Sequence, residues 1–170
     1  MDNTTLLSIV IGLVFVGIMV YMLLIHPKNS AKTVAQPSPS NQQSNALQLQ
    51  AYERLTLLAD RIALPNLISR NHGEGLSARE MQFLLTKLIR EEFDYNVTQQ
   101  IYVSPEAWNA VRNLKEKNLL IINQIGQLLP ENASGTDLQK QLLQYLMKEP
   151  KANLHELVSE ALGFEARKLL

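Results

Sequence analysis

The twenty residues from Leu6 to Ile25 carry no charged side chain, and this stretch constrains the architecture of the chain more than any other feature. At about 1.5 Å of rise per residue, an α-helix of this length spans roughly 30 Å, the thickness of the hydrocarbon core of a bilayer. Fourteen of the twenty residues are Leu, Ile, Val or Phe, which favour insertion. We therefore predict a transmembrane anchor in residues 1–26, with Leu6 to Ile25 in contact with the lipid bilayer.

A cleaved signal peptide is the alternative explanation of an apolar N-terminal segment. Signal peptides have a basic N-terminal region, an apolar run of about 7 to 15 residues and a small-x-small cleavage motif. Residues 1–5 contain no Lys or Arg, the apolar run is longer, and no Ala-x-Ala motif follows it. We therefore expect the segment to remain in the protein.

The residues that flank and line this segment bear on its orientation and packing. Lys28 and Lys32 follow it and no basic residue precedes it, so the positive-inside rule places the C-terminal part in the cytoplasm. Ser8 and Gly12 form a small-xxx-small pair through which two such helices can approach closely. Small residues are common in membrane helices, however, and we favour that simpler explanation of the pair.

Residues 27–45 differ sharply in composition from the segment before them. They contain three prolines and several Ser and Gln residues, and Val34 is their only large apolar residue. Such a stretch buries too little apolar surface to offset the entropy lost on ordering. We predict a flexible, disordered linker at residues 27–45 and a folded helical domain at residues 46–170.

Apolar residues recur at helical spacing from the start of the predicted domain. The first helix is marked by Leu47, Ala51, Leu55, Leu58 and Ile62. Pro65 should end this helix near Leu64, because the residue before a proline is disfavoured in the α conformation.

The second helix has the clearest start signal. Ser77 and Glu80 have the spacing of a capping box, and Leu76 and Met81 that of a hydrophobic staple, so the helix should begin at Ala78. Its apolar face comprises Met81, Leu84, Leu85, Leu88, Ile89 and Phe93. Val97 and Ile101 extend this face, but with Val103 they also alternate with polar residues, which leaves a short strand as the alternative.

Three further helices follow. Ser104 and Pro105 are an N-cap and a first-turn proline, and they open a helix that Pro130 closes. Two shorter helices begin at the apparent capping boxes Thr136–Gln139 and Asn153–Glu156. The residues expected to face the core are Trp108, Val111, Leu114, Ile122, Ile125, Leu138, Leu142, Leu146, Leu154, Leu157, Val158 and Ala161. No segment alternates like a sheet and no period of 20 to 50 residues repeats, so we predict an all-α fold with a bundle of about five helices.

Composition and motifs indicate no reaction. Sixteen basic and sixteen acidic residues balance and there are no cysteines, which argues against a nucleic-acid partner, a disulfide framework and a thiolate site. His155 and Glu156 begin a zinc-protease pattern, but Ser159 stands where the second histidine is needed. The carboxylates at residues 91–94 lack the Glu-x-x-His motif of di-iron bundles. We assign no catalytic, cofactor-binding or metal-binding residue.

The segment from Asn96 to Ser104 is the most unusual part of the predicted domain. It is uncharged and rich in amides, and it lies between a highly charged helix end and a capped helix. Amide and aromatic side chains suit either buried packing between helices or a surface that binds a protein partner. We favour packing, and we keep Gln99, Gln100, Tyr102 and Trp108 as the candidate interaction surface.

Three motifs in the domain resemble those of a known family. They are Gln50–Leu55 (QAYERL), Asn66–Arg70 (NLISR), and Gln99–Ser104 (QQIYVS) followed by Trp108. Over roughly Gln48 to Ile125 the chain resembles an uncharacterised family of small membrane-anchored proteins from Bacteroidota. The resemblance implies a bacterial inner-membrane protein with the same anchor, linker and helical domain. That family carries no assigned activity, so the resemblance indicates no functional residue.

With no chemistry found in the domain, we interpret the protein as a non-enzymatic, membrane-tethered interaction module, an adaptor or assembly factor. The tether raises the effective concentration of the domain for a protein partner in the same membrane. One alternative is a membrane-tethered enzyme whose acids and histidines converge only in the folded structure. The other is a homo-oligomeric structural membrane protein that uses the Ser8 and Gly12 face.

Overall fold

Residues 39–149 and 153–170 are the part of the chain that the computed structural model describes, and they form six α-helices and a short 3-10 helix. The α-helices are α1 (Pro39–Ile62), α2 (Leu64–Arg70), α3 (Ala78–Tyr95), α4 (Pro105–Leu128), α5 (Gly135–Lys148) and α6 (His155–Arg167). The 3-10 helix, Val97–Ile101, lies between α3 and α4. The prediction of an all-α fold is confirmed over these residues.

The predicted membrane anchor, Leu6 to Ile25 with Ser8 and Gly12, lies outside the described residues, as do residues 27–38 of the predicted linker. None of the helices formed by residues 39–149 and 153–170 is both long enough and apolar enough to cross a membrane. Residues 40–170 form one compact unit, in which one apolar core is shared by the six helices.

Helix α1 begins at Pro39, so it includes residues 39–45, which we predicted to be flexible linker. The side chains of residues 42–47 are exposed, and glutamine and alanine there have good helix propensity, so the helix continues outward from its packed part. The predicted buried stripe of Ala51, Leu55, Leu58 and Ile62 is confirmed. Leu47 was assigned to the same stripe, and that assignment is wrong because this part of α1 extends beyond the core.

Pro65 starts a helix as well as ending one. Helix α1 stops at Ile62, and Pro65 lies in the first turn of α2, where its missing N–H is not needed. This short helix, which the periodicity did not predict, makes six helices in the described residues rather than about five. Asn118 of α4 covers the end of α1, because its buried amide donates to the carbonyl oxygen of Ile62 at 2.7 Å.

The predicted capping box at the start of α3 is confirmed. The backbone N–H of Glu80 donates to Ser77 Oγ at 3.3 Å, and the backbone N–H of Ser77 donates to Glu80 Oε2 at 2.8 Å. Met81, Leu85, Ile89 and Phe93 are buried, while Leu84 and Leu88 are partly buried against the same core. The predicted apolar face therefore describes α3 as far as Phe93.

Helix α4 begins as predicted, since Ser104 Oγ accepts from the Ala107 N–H at 3.1 Å and the inward face of the helix is buried. The capping box predicted at Thr136–Gln139 is wrong. Helix α5 begins at Gly135, and its cap is Ser134, whose N–H donates to Asp137 Oδ2 at 2.9 Å. The predicted burial of Leu138, Leu142 and Leu146 is confirmed, because the apolar stripe is independent of which cap is used.

The capping box predicted at Asn153–Glu156 is also wrong. Helix α6 begins at His155 with no side-chain cap, and Asn153 Oδ1 instead lies 2.7 Å from His155 Nδ1. Val158 is buried as expected, but Leu157 and Ala161 are exposed. The second buried residue is Leu162, one turn after Val158, so a narrow stripe of α6 packs onto the core, in contact with α4.

Helices α2 and α3 form one helix–loop–helix unit, α4 and α5 form another, and the two units meet at their loops. Ser77 and Ser134 form an antiparallel β-bridge. The Ala78 N–H donates to the Ala133 carbonyl at 2.9 Å, and the Gly135 N–H donates to the Leu76 carbonyl at 2.7 Å. Exchanging the two loops turns each of these hydrogen bonds into the other. An approximate two-fold axis therefore relates the loops.

The sequences on the two sides of this axis also correspond. Ser77–Gln82 (SAREMQ) and Ser134–Gln139 (SGTDLQ) lie 57 residues apart and match in the cap, the carboxylate three residues later, the apolar residue after it and the glutamine. This separation is longer than the 20 to 50 residues typical of repeat proteins. The correspondence between the two segments is therefore identified by the bridge, which aligns the two loops.

The two corresponding glutamines, Gln82 and Gln139, each reach across to the other unit. Gln82 in α3 donates to Asn123 Oδ1 in α4 at 2.9 Å. Gln139 in α5 donates to the carbonyl oxygen of Asn71, in the first loop, and accepts from the Gly73 N–H at 3.2 Å. These side chains join the two units beyond the backbone bridge.

Candidate interaction surface

The turn at residues 96–104 joins α3 to α4. Its 3-10 helix is neither a continuation of α3 nor the short strand considered as the alternative, so both predictions for this segment are wrong. Asn96 ends α3, because its side chain donates to the Glu92 carbonyl at 2.9 Å and its backbone N–H donates to the Phe93 carbonyl at 3.0 Å. An amide that binds the carbonyls of its own helix competes with continued α-helical hydrogen bonding.

Two buried amide residues support the turn from below. Asn96 and Gln99 are three residues apart, the spacing that places side chains on one side of a 3-10 helix, and Gln99 is only 8% exposed. The Gln99 N–H donates to the Asn96 carbonyl and the Tyr102 N–H to the Gln99 carbonyl, both at 3.0 Å. With these two residues directed inward, Val97 and Ile101 are exposed.

The far end of the turn is fastened to α1. The Ser104 N–H donates to the hydroxyl oxygen of the buried Tyr52 at 3.2 Å. One turn into α4, Trp108 packs on Phe93 with their ring centroids 5.0 Å apart, and Lys115 Nζ lies 4.3 Å from the Phe93 centroid. The turn therefore has fixed supports on α1, α3 and α4.

An apolar groove lies between the outer part of α1 and this turn. It has a volume of about 410 Å³ and is lined by Gln43, Ser44, Leu47, Gln48, Ile101 and Tyr102. We call it the α1–turn groove. Ile101 is 73% exposed, Leu47 44% and Tyr102 40%, so three large side chains with apolar surface face solvent beside one another.

A second hollow, of about 360 Å³, continues the α1–turn groove toward the C-terminus. It shares Gln48, Ile101 and Tyr102 with the groove and is also lined by Glu165, Lys168 and Leu169. The Asn45 amide donates to the Leu169 carbonyl at 3.4 Å, which joins α1 to the C-terminal residues. Lys168 Nζ lies 2.5 Å from Glu165 Oε1, so the two charges on this side neutralise each other.

The four residues predicted as an interaction surface have different positions. Tyr102 lines the groove, Gln100 is exposed, Gln99 is buried beneath the turn, and Trp108 is partly buried on Phe93. Packing, the interpretation we favoured, therefore describes Gln99 and Trp108. Periodicity extends helical stripes through Leu47 and Ile101, so the sequence does not predict either as a surface residue. The signal for Ile101 was Asn96, a residue type that can end a helix with its side chain.

Three of the acids and histidines considered for catalysis make contacts with other side chains. Glu92 pairs with Arg61 at 3.2 Å, Glu91 with Lys87 at 3.7 Å, and His155 contacts Asn153. Within residues 39–149 and 153–170, no three side chains of His, Asp or Glu are placed to hold a metal ion.

Shifted pKa values occur at the two capping boxes. The backbone N–H of Ser77, and then its hydroxyl, lower the pKa of Glu80 from its ordinary value of 4.5. The Ser134 hydroxyl, and then its backbone N–H, lower the pKa of Asp137 from 3.8. Perturbed pKa values often mark functional sites, but both carboxylates here are accounted for by helix capping.

The fold and the groove define a class of protein: an all-α bundle around two paired helix–loop–helix units, with an exposed apolar groove on one side. The chain belongs to a family of unknown function (DUF7935), whose model matches residues 2–169. Comparisons with curated proteins and with solved structures found no match. Membership agrees with the resemblance to an uncharacterised family and assigns no role to any residue.

Proposed function

We propose that this protein is a non-catalytic interaction module, tethered to a membrane through Leu6 to Ile25, whose protein partner contacts the α1–turn groove. The observation that carries the proposal is the position of Ile101, which is 73% exposed beside Leu47 and Tyr102. A contiguous exposed apolar surface is typical of interaction sites.

The support beneath the groove favours binding. Asn96 and Gln99 are buried under the turn, and Tyr52 accepts the backbone N–H of Ser104 at 3.2 Å. A surface that is already ordered loses less conformational entropy when a partner binds. Ile101 is therefore presented to a partner in a defined position.

The polar lining of the groove favours binding over catalysis. Gln43, Ser44 and Gln48 supply amides and a hydroxyl. Such groups orient a partner by hydrogen bonding, whereas acid–base catalysis uses groups with pKa values near the working pH. The carboxylates with shifted pKa values, Glu80 and Asp137, are those of the capping boxes at the bridged loops.

The proposed anchor supplies the location. Thirteen residues separate Ile25 from Pro39 in the sequence. The groove begins at Gln43, one helical turn into α1. A partner in the same membrane would thus meet the groove at a high effective concentration.

Recovery of the partner from membranes tests the interaction. Tagged full-length protein is purified in mild detergent after gentle crosslinking, as wild type, as Ile101→Ser and as Met147→Ser. Met147 is the matched control, because it is 81% exposed on α5 and does not line the groove. We expect a stoichiometric partner with wild type and Met147→Ser, and its loss with Ile101→Ser. Recovery of the tagged protein in all three samples only as an uncrosslinked monomer, without another protein or a second copy attached, would contradict the proposal.

The location is tested separately. We propose that the protein is single-pass in a bacterial inner membrane with its domain in the cytoplasm, since Lys28 and Lys32 follow the apolar segment. The protein should then stay with membranes at alkaline pH, and a C-terminal tag should resist protease in spheroplasts until they are lysed. Digestion of the tag in intact spheroplasts would show that the C-terminal domain lies on the opposite side of the membrane.

A further inference from the structure

We infer that the partner in the α1–turn groove is a second copy of this chain, an inference that rests on the proposed function. The contact is a two-fold one, with the two Ile101 side chains near the axis and each against the groove of the other copy. Leu47 and Tyr102 flank Ile101 in each copy. Three properties of the groove fit this occupant.

The first property is electrical neutrality. The six residues that line the α1–turn groove are all uncharged. In its continuation, Glu165 and Lys168 pair at 2.5 Å. A two-fold interface places a surface patch against its own copy, so a patch with a net charge would repel itself. A partner recognised by opposite charge would instead need a charged groove.

The second property is the hydrogen-bonding capacity of the polar lining. Gln43 and Gln48 each carry an amide that both donates and accepts, and Ser44 carries a hydroxyl that does the same. Such groups can bond to the identical group of another copy, whereas carboxylates, ammonium groups and guanidinium groups cannot. The polar rim is therefore compatible with itself across a two-fold axis.

The third property is shape. Ile101 protrudes, with 73% of its surface exposed, beside a hollow of about 410 Å³. Because the protrusion and the hollow belong to one surface, two copies can each insert a side chain into the other. This reciprocal fit would remove Ile101, Leu47 and Tyr102 from water at the same time in both copies.

The proposed membrane anchor would bring the copies together. Tethering two copies to one membrane raises the effective concentration of each for the other.

Charge substitutions at Ile101 test the contact in the full-length protein. Two differently tagged copies are expressed together, and one tag is purified in mild detergent. We expect wild-type copies to co-purify. When both copies carry Ile101→Glu, or both carry Ile101→Lys, the amount of the second copy recovered should fall roughly tenfold or more, since like charges would face each other. Mixing Ile101→Glu with Ile101→Lys should restore co-purification. Met147→Glu, the control on α5, should leave it unchanged.

The mixed pair keeps the test independent of folding, because a misfolded variant would not be rescued by its opposite. Failure of wild-type copies to co-purify would overturn the inference, as would equal co-purification of all pairs. If a different protein co-purifies with wild type and is lost with Ile101→Ser, the proposed function stands and the second copy is excluded.

A thiol at position 101 identifies the occupant directly, since the chain contains no cysteine of its own. In oxidised membranes, Ile101→Cys should form a covalent dimer of two copies, and Met147→Cys should not. If a short thiol-to-amine crosslinker instead yields an adduct to another protein, the inference of a second copy is overturned and the proposed function stands. If nitroxide lipids quench a fluorophore on this thiol and no dimer forms, the groove contacts the membrane surface. That result would overturn both the second copy and the proposed function.

Discussion

Ser77 and Ser134 lie opposite each other in an antiparallel β-bridge, and each also caps the helix that follows it. Each residue thus orders its own helix through its side chain, and the bridge between them joins the two helix–loop–helix units. The bridge bonds are made by the backbone groups of the neighbouring residues, Ala78 to Ala133 and Gly135 to Leu76. Local capping and the long-range contact are therefore coupled at one point in the fold.

The two caps should contribute to stability by similar amounts. We expect Ser77→Ala and Ser134→Ala each to lower the free energy of unfolding of the domain by about 1 kcal/mol, the usual cost of losing a serine cap. Urea denaturation followed by circular dichroism measures this. Thr136→Ala is the control, because Thr136 is exposed and lies inside α5. An equal loss with Thr136→Ala would mean that the cap is Thr136 after all.

The capping carboxylates should make the domain less stable in acid. The pKa values of Glu80 and Asp137 are lowered in the folded state, so their contribution is present above their unfolded values of 4.5 and 3.8. It is lost as the pH falls through the lower folded values. We expect the urea midpoint to fall between pH 5 and pH 3, about the range those values define, and to fall less in the variant Glu80→Gln with Asp137→Asn. An identical pH profile for the double variant would contradict this assignment.

Gly73 should not tolerate a side chain. A Cβ at Gly73 would lie 2.6 Å from the backbone carbon of Gly135 and 2.8 Å from the backbone nitrogen of Thr136, so the two loops would have to separate. We expect Gly73→Ala to lower the free energy of unfolding by about 2 kcal/mol or more. Gly163→Ala is the control, because a Cβ at Gly163 would have Arg167 Nη1 as its nearest contact, at 3.4 Å. Since Gly163 lies within α6, this substitution should raise the free energy of unfolding by roughly 0.5 kcal/mol. Equal effects would exclude loop contact as the cause.

The buried amide of Asn118 should be needed to end α1. It donates to the Ile62 carbonyl at 2.7 Å in the core, and without it that carbonyl would be buried without a partner. We expect Asn118→Ala to lower the free energy of unfolding by about 1–3 kcal/mol. Asn113→Ala, at an exposed position on the same helix, should change stability by less than about 0.5 kcal/mol. Thermal denaturation of the two variants checks the difference.

Much of the helical architecture could be predicted because its signals are local. The capping box of Ser77 and Glu80 and the cap at Ser104 each involve residues three positions apart. The buried stripe of Leu138, Leu142 and Leu146 follows from the period of the helix. In each case the sequence near one point contains the whole interaction.

The start of α5 was predicted wrongly because two local solutions compete there. Both Ser134 with Asp137 and Thr136 with Gln139 have capping-box spacing, and the sequence nearby does not distinguish them. The structure selects Ser134, because it lies opposite Ser77 in the bridge, and Gln139 then accepts from the Gly73 N–H at 3.2 Å. The choice depends on partners more than fifty residues away.

The surface was the least predictable part. Leu47 and Ile101 have helical spacing with core residues, so periodicity assigns both to the interior. Leu47 is exposed because α1 extends beyond the bundle, and Ile101 because Asn96 ends α3 and turns the chain. Periodicity identifies an apolar face, but it does not say where the neighbouring helix that covers the face ends.

By itself, the sequence determined that the domain is all-α, where α3 and α4 begin, which residues of α1, α3, α4 and α5 supply most of the core, and that the chain is balanced in charge without cysteine. Helix periodicity and capping depend on residues within a few positions of each other, and composition depends on no contact at all. Only the tertiary structure decided the pairing of Ser77 with Ser134 and the position of Ile101 beside Leu47. Both depend on contacts between residues distant in the chain, and the free energy of those contacts exists only when all the helices have packed together.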